Sequence, residues 1–98
     1  EYNFEDCKEK YARLAYFMGE DVTGVSVEEG AKKAIDAVRN LHKKLHALGA
    51  MPMNLKEAGV PEESLEAIAQ AAAEDGSTVY NVREVIAEEI LVHLRNAY

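Results

Sequence analysis

Ser26-Val27-Glu28-Glu29-Gly30-Ala31-Lys32-Lys33-Ala34-Ile35-Asp36-Ala37-Val38-Arg39-Asn40-Leu41, continuing to Leu48-Gly49, decides the fold. Its first four residues are a capping box: the Ser26 hydroxyl accepts from the Glu29 amide while the Glu29 carboxylate reaches back to the Ser26 amide, so two otherwise orphaned donors at a helix start are satisfied. Behind the cap, Ala31, Ala34, Ile35, Val38, Leu41, Leu45 and Leu48 recur at steps of three and four, the spacing of one buried helical stripe. Gly49 is the stop. A long amphipathic helix from Ser26 to Leu48 is therefore predicted, and nothing in the stretch alternates with the period of a strand.

The same period extends outward in both directions. Upstream, Phe4, Cys7, Tyr11, Leu14, Ala15 and Met18 line one face of a first helix from about Asp6 to Met18. Gly19 ends it, because glycine takes the left-handed conformation at a helix terminus without steric cost. Residues 20 to 25 read as a loop. Downstream, Pro52 lacks an amide and biases Met51 away from helical angles, so the chain must break there. Asn54 then caps one short turn, Leu55 to Ala58, closed by Gly59. Pro61 opens a third helix, with Glu62 and Glu63 where the helix dipole favours negative charge and with Leu65, Ile68, Ala69 and Ala72 as its inward stripe. After a break at Asp75-Gly76-Ser77, a last helix is expected to begin near Asn81, which forms a second possible capping box with Glu84, and to carry Val82, Val85, Ile86, Ile90, Leu94 and Ala97 inward. The expectation is an all-α chain: a bundle of about four main helices plus a short helical turn, forming a single all-helical domain over residues 1–98.

Composition narrows the function classes. A chain of 98 residues fits one domain, and at that size only somewhat over ~60% of the unfolded surface is buried, so the core is thin. Eighteen acidic against eleven basic residues give a net charge of −7, with no basic stripe, which argues against nucleic acid as a partner. No apolar run is long enough for a membrane span. The single cysteine, Cys7, cannot form an internal bridge, and a reducing cytoplasm is the simplest compartment. A start at Glu1 without an initiator Met fits a fragment boundary or a removed tag equally.

Chemistry-bearing clusters are sparse. His42 and His46 stand four apart on the second helix, on one face, but zinc requires three or four protein ligands and this helix interposes Lys43 and Lys44 with no HExxH glutamate. They read as a polar edge. His93 has no partner assigned by spacing. The acid pairs Glu28-Glu29, Glu62-Glu63 and Glu88-Glu89 are neighbours along a helix, point about 100° apart and do not converge on one substrate. The first two stabilise helix starts, and the third reads as a solvated face with Arg83 and Arg95 in register. Cys7 sits on an apolar stripe and reads as a buried small hydrophobe. No triad of nucleophile, base and orienter can be assembled, and Gly19, Gly24 and Gly30 do not make a strand-to-helix phosphate loop.

Order and spacing of short phrases nonetheless carry a resemblance over nearly the whole chain. Lys10-Tyr11-Ala12-Arg13-Leu14-Ala15 is followed by a helix end at Met18-Gly19, a Val22-Thr23-Gly24-Val25-Ser26 loop and an Ala-rich helix. Then come Leu55-Lys56-Glu57-Ala58-Gly59-Val60, the Asp75-Gly76 step and Asn81-Val82-Arg83 running to Ala97-Tyr98. In this order they resemble the C-terminal helical segment of iron-containing alcohol dehydrogenases, of dehydroquinate synthase-like fold. The chain departs from the family pattern where Val82 replaces a usual Pro, where Gly49-Ala50-Met51-Pro52 replaces a shorter Gly-Ile-Pro, and where Ile86 replaces a frequent Thr cap. The missing Thr is what favours the earlier helix start at Asn81. In several members a Cys near the active site takes the place of Ser77, which makes Ser77 the candidate substrate-pocket residue.

The resemblance implies a two-domain NAD(P)-dependent enzyme with an N-terminal nucleotide-binding domain, and with Fe2+ held at the cleft by one Asp and three His on other helices. The metal would polarise the alcohol oxygen while hydride passes to the nicotinamide. None of His42, His46 or His93 matches those ligand motifs. Residues 1–98 are accordingly expected to be a C-terminal fragment, inactive alone, that binds no metal or cofactor itself. Its partners would be the missing N-terminal domain and metal-bearing helices, with homodimerisation possible through an uncovered apolar face. The competing expectation is a free-standing helical interaction module without catalysis, which would be a compact monomer.

Overall fold

In a computed structural model describing residues 1–98, the capping box is closed as expected. The Glu29 amide donates to Ser26 Oγ at 3.2 Å, and the Ser26 amide donates to Glu29 Oε2 at 2.9 Å. From that cap, helix α2 runs Val27–Ala47, and α1 runs Phe4–Phe17 before it. Both end in the same way: the Glu20 amide reaches the Ala15 carbonyl and the Ala50 amide the Leu45 carbonyl, each at 3.0 Å. The intervening Gly19 and Gly49 adopt φ of 87° and 71°, the left-handed turn that makes these bonds possible.

The chain groups into two compact units, Glu1–Met51 and Pro52–Tyr98. In the first, α1 packs on α2. Glu1 pairs with Arg39 while Ala12 faces Gly30, so the two helices run antiparallel. Their contact is built from small residues, with Cys7, Ala15, Gly30, Ala31, Ala34 and Ala37 buried. A Cβ at Gly30 would stand 3.1 Å from the Ala12 Cβ, which is why the hydrogen of glycine is needed there.

In the second unit, α3 (Leu65–Glu74) packs on α4 (Ala87–Asn96), with Leu65 and Ala69 buried. The Asn54 turn forms as expected: the Glu57 amide donates to Asn54 Oδ1 at 2.8 Å. It is tied to the chain end where the Leu55 amide donates to the Ala97 carbonyl at 2.8 Å and Lys56 Nζ lies 5.9 Å from the centre of the Tyr98 ring. Four α-helices are joined by two short 3-10 turns, Glu62–Ser64 and Thr78–Tyr80, and there is no strand. No helix is long and apolar enough to cross a membrane.

Two expectations need correction. The last helix does not begin at Asn81; it begins at Ala87, with Ile86 as its extended flanking residue (φ −118°, ψ 152°) and no side-chain cap. Asn81 ends the Thr78–Tyr80 turn in extended conformation, and its side-chain amide donates to the Arg83 carbonyl at 3.0 Å, so it caps no helix. The helix thus starts at the position where the resemblance implies a Thr cap, although Ile86 cannot supply the bond. Second, the α2 stripe is only partly buried. Ala31 and Ala34 are inaccessible, but Val38, Leu41 and Leu48 remain 51%, 50% and 80% exposed. A lesser shift concerns Pro61, which precedes a 3-10 turn, so that the α3 helix proper starts at Leu65.

Candidate functional site

Ser77 lies in the exposed turn that ends α3. Its amide donates to Asp75 Oδ1 at 2.7 Å, and its hydroxyl donates to the same oxygen. These two bonds, the hydroxyl's first and the amide's second, hold the Asp75 carboxyl below the usual carboxylate range. Thr78 Oγ1 donates to the Ala72 carbonyl at 2.7 Å, satisfying one of the carbonyls that α3 leaves open. Beside this turn an open depression of about 280 Å³ is lined by Ala73, Thr78, Asn81, Val82, Arg83 and Val85. Ser77 adjoins it in sequence without lining it.

The remaining candidates do not come together. His42 is half-buried on α2, and His46 is exposed one turn on, its Nδ1 3.1 Å from the Met51 carbonyl oxygen. His93 is on α4 in the other unit. Cys7 is buried between α1 and α2, as its place on the apolar stripe required. Two of the three acid pairs are engaged locally, and Glu62-Glu63 stands in the 3-10 turn before α3. Glu28 bonds Lys32 at 2.6 Å, Glu29 closes the cap, and Glu89 lies 3.5 Å from Arg83. The Lys32 bond holds Glu28 below the usual carboxylate range, and the Ser26 amide does the same for Glu29. Arg95 reaches Glu66, at 3.4 Å, rather than the Glu88-Glu89 pair.

Sequence reasoning overlooked a groove of about 400 Å³ between α1 and the start of α2, lined by Ala12, Arg13, Tyr16, Phe17, Val22 and Val27. Tyr16 and Phe17 meet edge to face, ring centres 5.6 Å apart, and both stay largely exposed. The available signal was two adjacent aromatics on consecutive positions of α1, of which the apolar stripe can accommodate neither. The groove is chiefly apolar, a shape for a packing neighbour more than for a reaction.

Four helices with this order define an all-α segment of the dehydroquinate synthase-like fold: the chain superposes on a crystal structure of 1,3-propanediol oxidoreductase with TM-score 0.88 and 34% identity, covering 99% of this chain and 24% of that one. The model of the C-terminal part of the Fe-containing alcohol dehydrogenase family matches residues 1–98, and the chain belongs to that family. It is 38% identical to lactaldehyde reductase of Escherichia coli (strain K12), over 92% of this chain and 22% of that one. It is 34% identical to the NAD-dependent methanol dehydrogenase of Bacillus methanolicus, over 91% of this chain and 22% of that one. The chain thus spans less than a quarter of the length of the relatives it matches.

The iron in the family's name finds no donor set within residues 1–98. No group of three or more His, Cys, Asp or Glu side chains converges; Glu29 is held in its cap, Glu28 in an ion pair with Lys32, and Asp75 by the Ser77 amide and hydroxyl.

Proposed function

We propose that residues 1–98 serve as the C-terminal helical domain of an iron-dependent, NAD(P)-dependent alcohol dehydrogenase, an oxidoreductase moving hydride between an alcohol or aldehyde and a nicotinamide in a reducing, cytoplasmic setting. The observation that carries this reading is the full-length match to one terminal segment of the family, in sequence and in fold together. The nicotinamide-binding domain and the metal-bearing helices are assigned to other parts of the whole enzyme. Support comes from the all-helical architecture, because dinucleotides are bound at strand-to-helix turns.

Within that enzyme the domain walls the cleft and supplies packing faces, and Ser77 lines the substrate pocket from the exposed turn after α3. The test replaces the matched segment of E. coli lactaldehyde reductase by residues 1–98 and follows nicotinamide reduction optically. The chimera is expected to turn over, while residues 1–98 alone, supplied with Fe2+ and NAD, are expected to be silent. Turnover by the 98 residues alone, or a folded chimera without activity, would overturn the reading. In the chimera, Ser77→Ala is expected to raise KM about fivefold with kcat nearly unchanged, the effect of losing one hydrogen bond of ~1 kcal/mol. An unchanged KM removes Ser77 from the pocket.

A further inference from the structure

Within the first unit, the C-terminal half of α2 presents an interface that α1 leaves open. Ala31, Ala34, Val38, Leu41, Leu45 and Leu48 follow one another at alternating steps of three and four, the spacing of a seam that packs along another helix. Its first half is taken by α1, but α1 has 14 residues and α2 has 21. At 1.5 Å per residue α2 outruns its partner by roughly 10 Å. Because Glu1 already pairs with Arg39, α1 begins beside Arg39, and the seam beyond it has no α1 alongside. Exposure follows that geometry, with Ala31 and Ala34 inaccessible and Val38, Leu41 and Leu48 open.

Charge selects the occupant. The whole chain carries −7, yet between Ala37 and Met51 stand Arg39, Lys43 and Lys44 and no acid. Lys44 and His42 occupy positions bordering the seam, where paired helices choose partners by charge. The helix dipole accounts for a cation in the last turn but not for the exclusion of acids over the full stretch. Arg39 is already paired with Glu1 and Asp36, so the seam beyond it is flanked by Lys44 and His42, and a second copy would set these basic side chains against each other with no acid to meet them. We infer that this half of α2 docks an amphipathic helix with acidic flanks, supplied by the rest of the parent polypeptide. The inference rests on the reading above, and the chain's span of less than a quarter of its relatives leaves ample polypeptide to provide the helix.

The probe is a labelled three-heptad peptide with Leu at the seam positions and Glu at the bordering positions, compared with the same peptide carrying Lys, titrated against residues 1–98 by fluorescence anisotropy. The Glu peptide is expected to bind about tenfold more tightly at low ionic strength, the gap closing near about 0.5 M salt. Lys43→Glu/Lys44→Glu is expected to reverse the preference, and Leu41→Glu to weaken both peptides about tenfold. All three side chains are exposed, and circular dichroism verifies that the variants stay helical. Equal binding of the two peptides overturns the proposal, as does a dimer of residues 1–98 that Leu41→Glu dissolves, since a second copy then takes the seam. An active chimera without the peptide preference sinks this inference and leaves the enzyme reading standing. An inactive chimera with the preference intact supports the seam and its charge while removing the parent enzyme.

Discussion

Single side chains at the two helix starts make opposite predictions. Ser26 supplies both halves of its cap with Glu29, so Ser26→Ala is expected to cost about 1 kcal/mol and to lower the melting temperature by roughly 4–8 °C. Ile86 stands at the equivalent position of α4 with the right backbone and no capping oxygen, and it is 44% exposed. Ile86→Thr is therefore expected to stabilise by about 1 kcal/mol, read from urea or thermal unfolding. The carboxylate half of the cap has a pH signature. Glu29 is held below its ordinary value in the folded chain, chiefly by the Ser26 amide, so its contribution is complete above the unfolded carboxylate pKa of about 4.3 and disappears as pH falls through the lower folded value. Melting curves of wild type and Glu29→Gln are expected to be separated at neutral pH and to converge in acid. Ser26 was legible from sequence because its partner lies three residues away and nothing competes for it. Asn81 offered the same spelling with Glu84, but its amide finds the Arg83 carbonyl, a choice that only the fold of the preceding turn determines.

At the scale of elements, helix existence was readable from apolar period and glycine stops, while burial along each helix was not. Period identifies the face of α2 that turns inward, yet whether a position on it is covered depends on how far the neighbouring helix reaches. The shorter α1 leaves Leu41 and Leu48 open. Gly30 illustrates the same dependence. A glycine inside a helix looks like a weakness of up to ~1 kcal/mol until the opposing Ala12 is known. Gly30→Leu is expected to cost about 2 kcal/mol by forcing α1 away from α2, measured by urea unfolding. Ala12→Gly is expected to return part of the loss when combined with Gly30→Ala, so the two substitutions should couple in a double-mutant cycle. Additive behaviour would show that the helices approach elsewhere.

For the molecule as a whole, no large side chain is fully buried, and Tyr16, Phe17, Leu48, Val79 and Tyr80 are among those left mostly open to water. Residues 1–98 alone are accordingly expected to bind a hydrophobic dye and to sediment above the monomer mass, an association that Leu41→Glu leaves in place. A dye-silent monomer would favour a self-sufficient interaction module. Fold class and family were legible from the order of short phrases; a site was not, because the chemistry-bearing side chains His42, His46, Cys7 and Ser77 stand at separate places along the chain with no spacing that assembles them. What the chain does contain is a built-in chemical clock. Cys7, the sole thiol, is sealed between α1 and α2, so an alkylating reagent can consume it only during moments when that hairpin parts. The rate of thiol loss, followed across temperature, would record how often the first helix pair breathes.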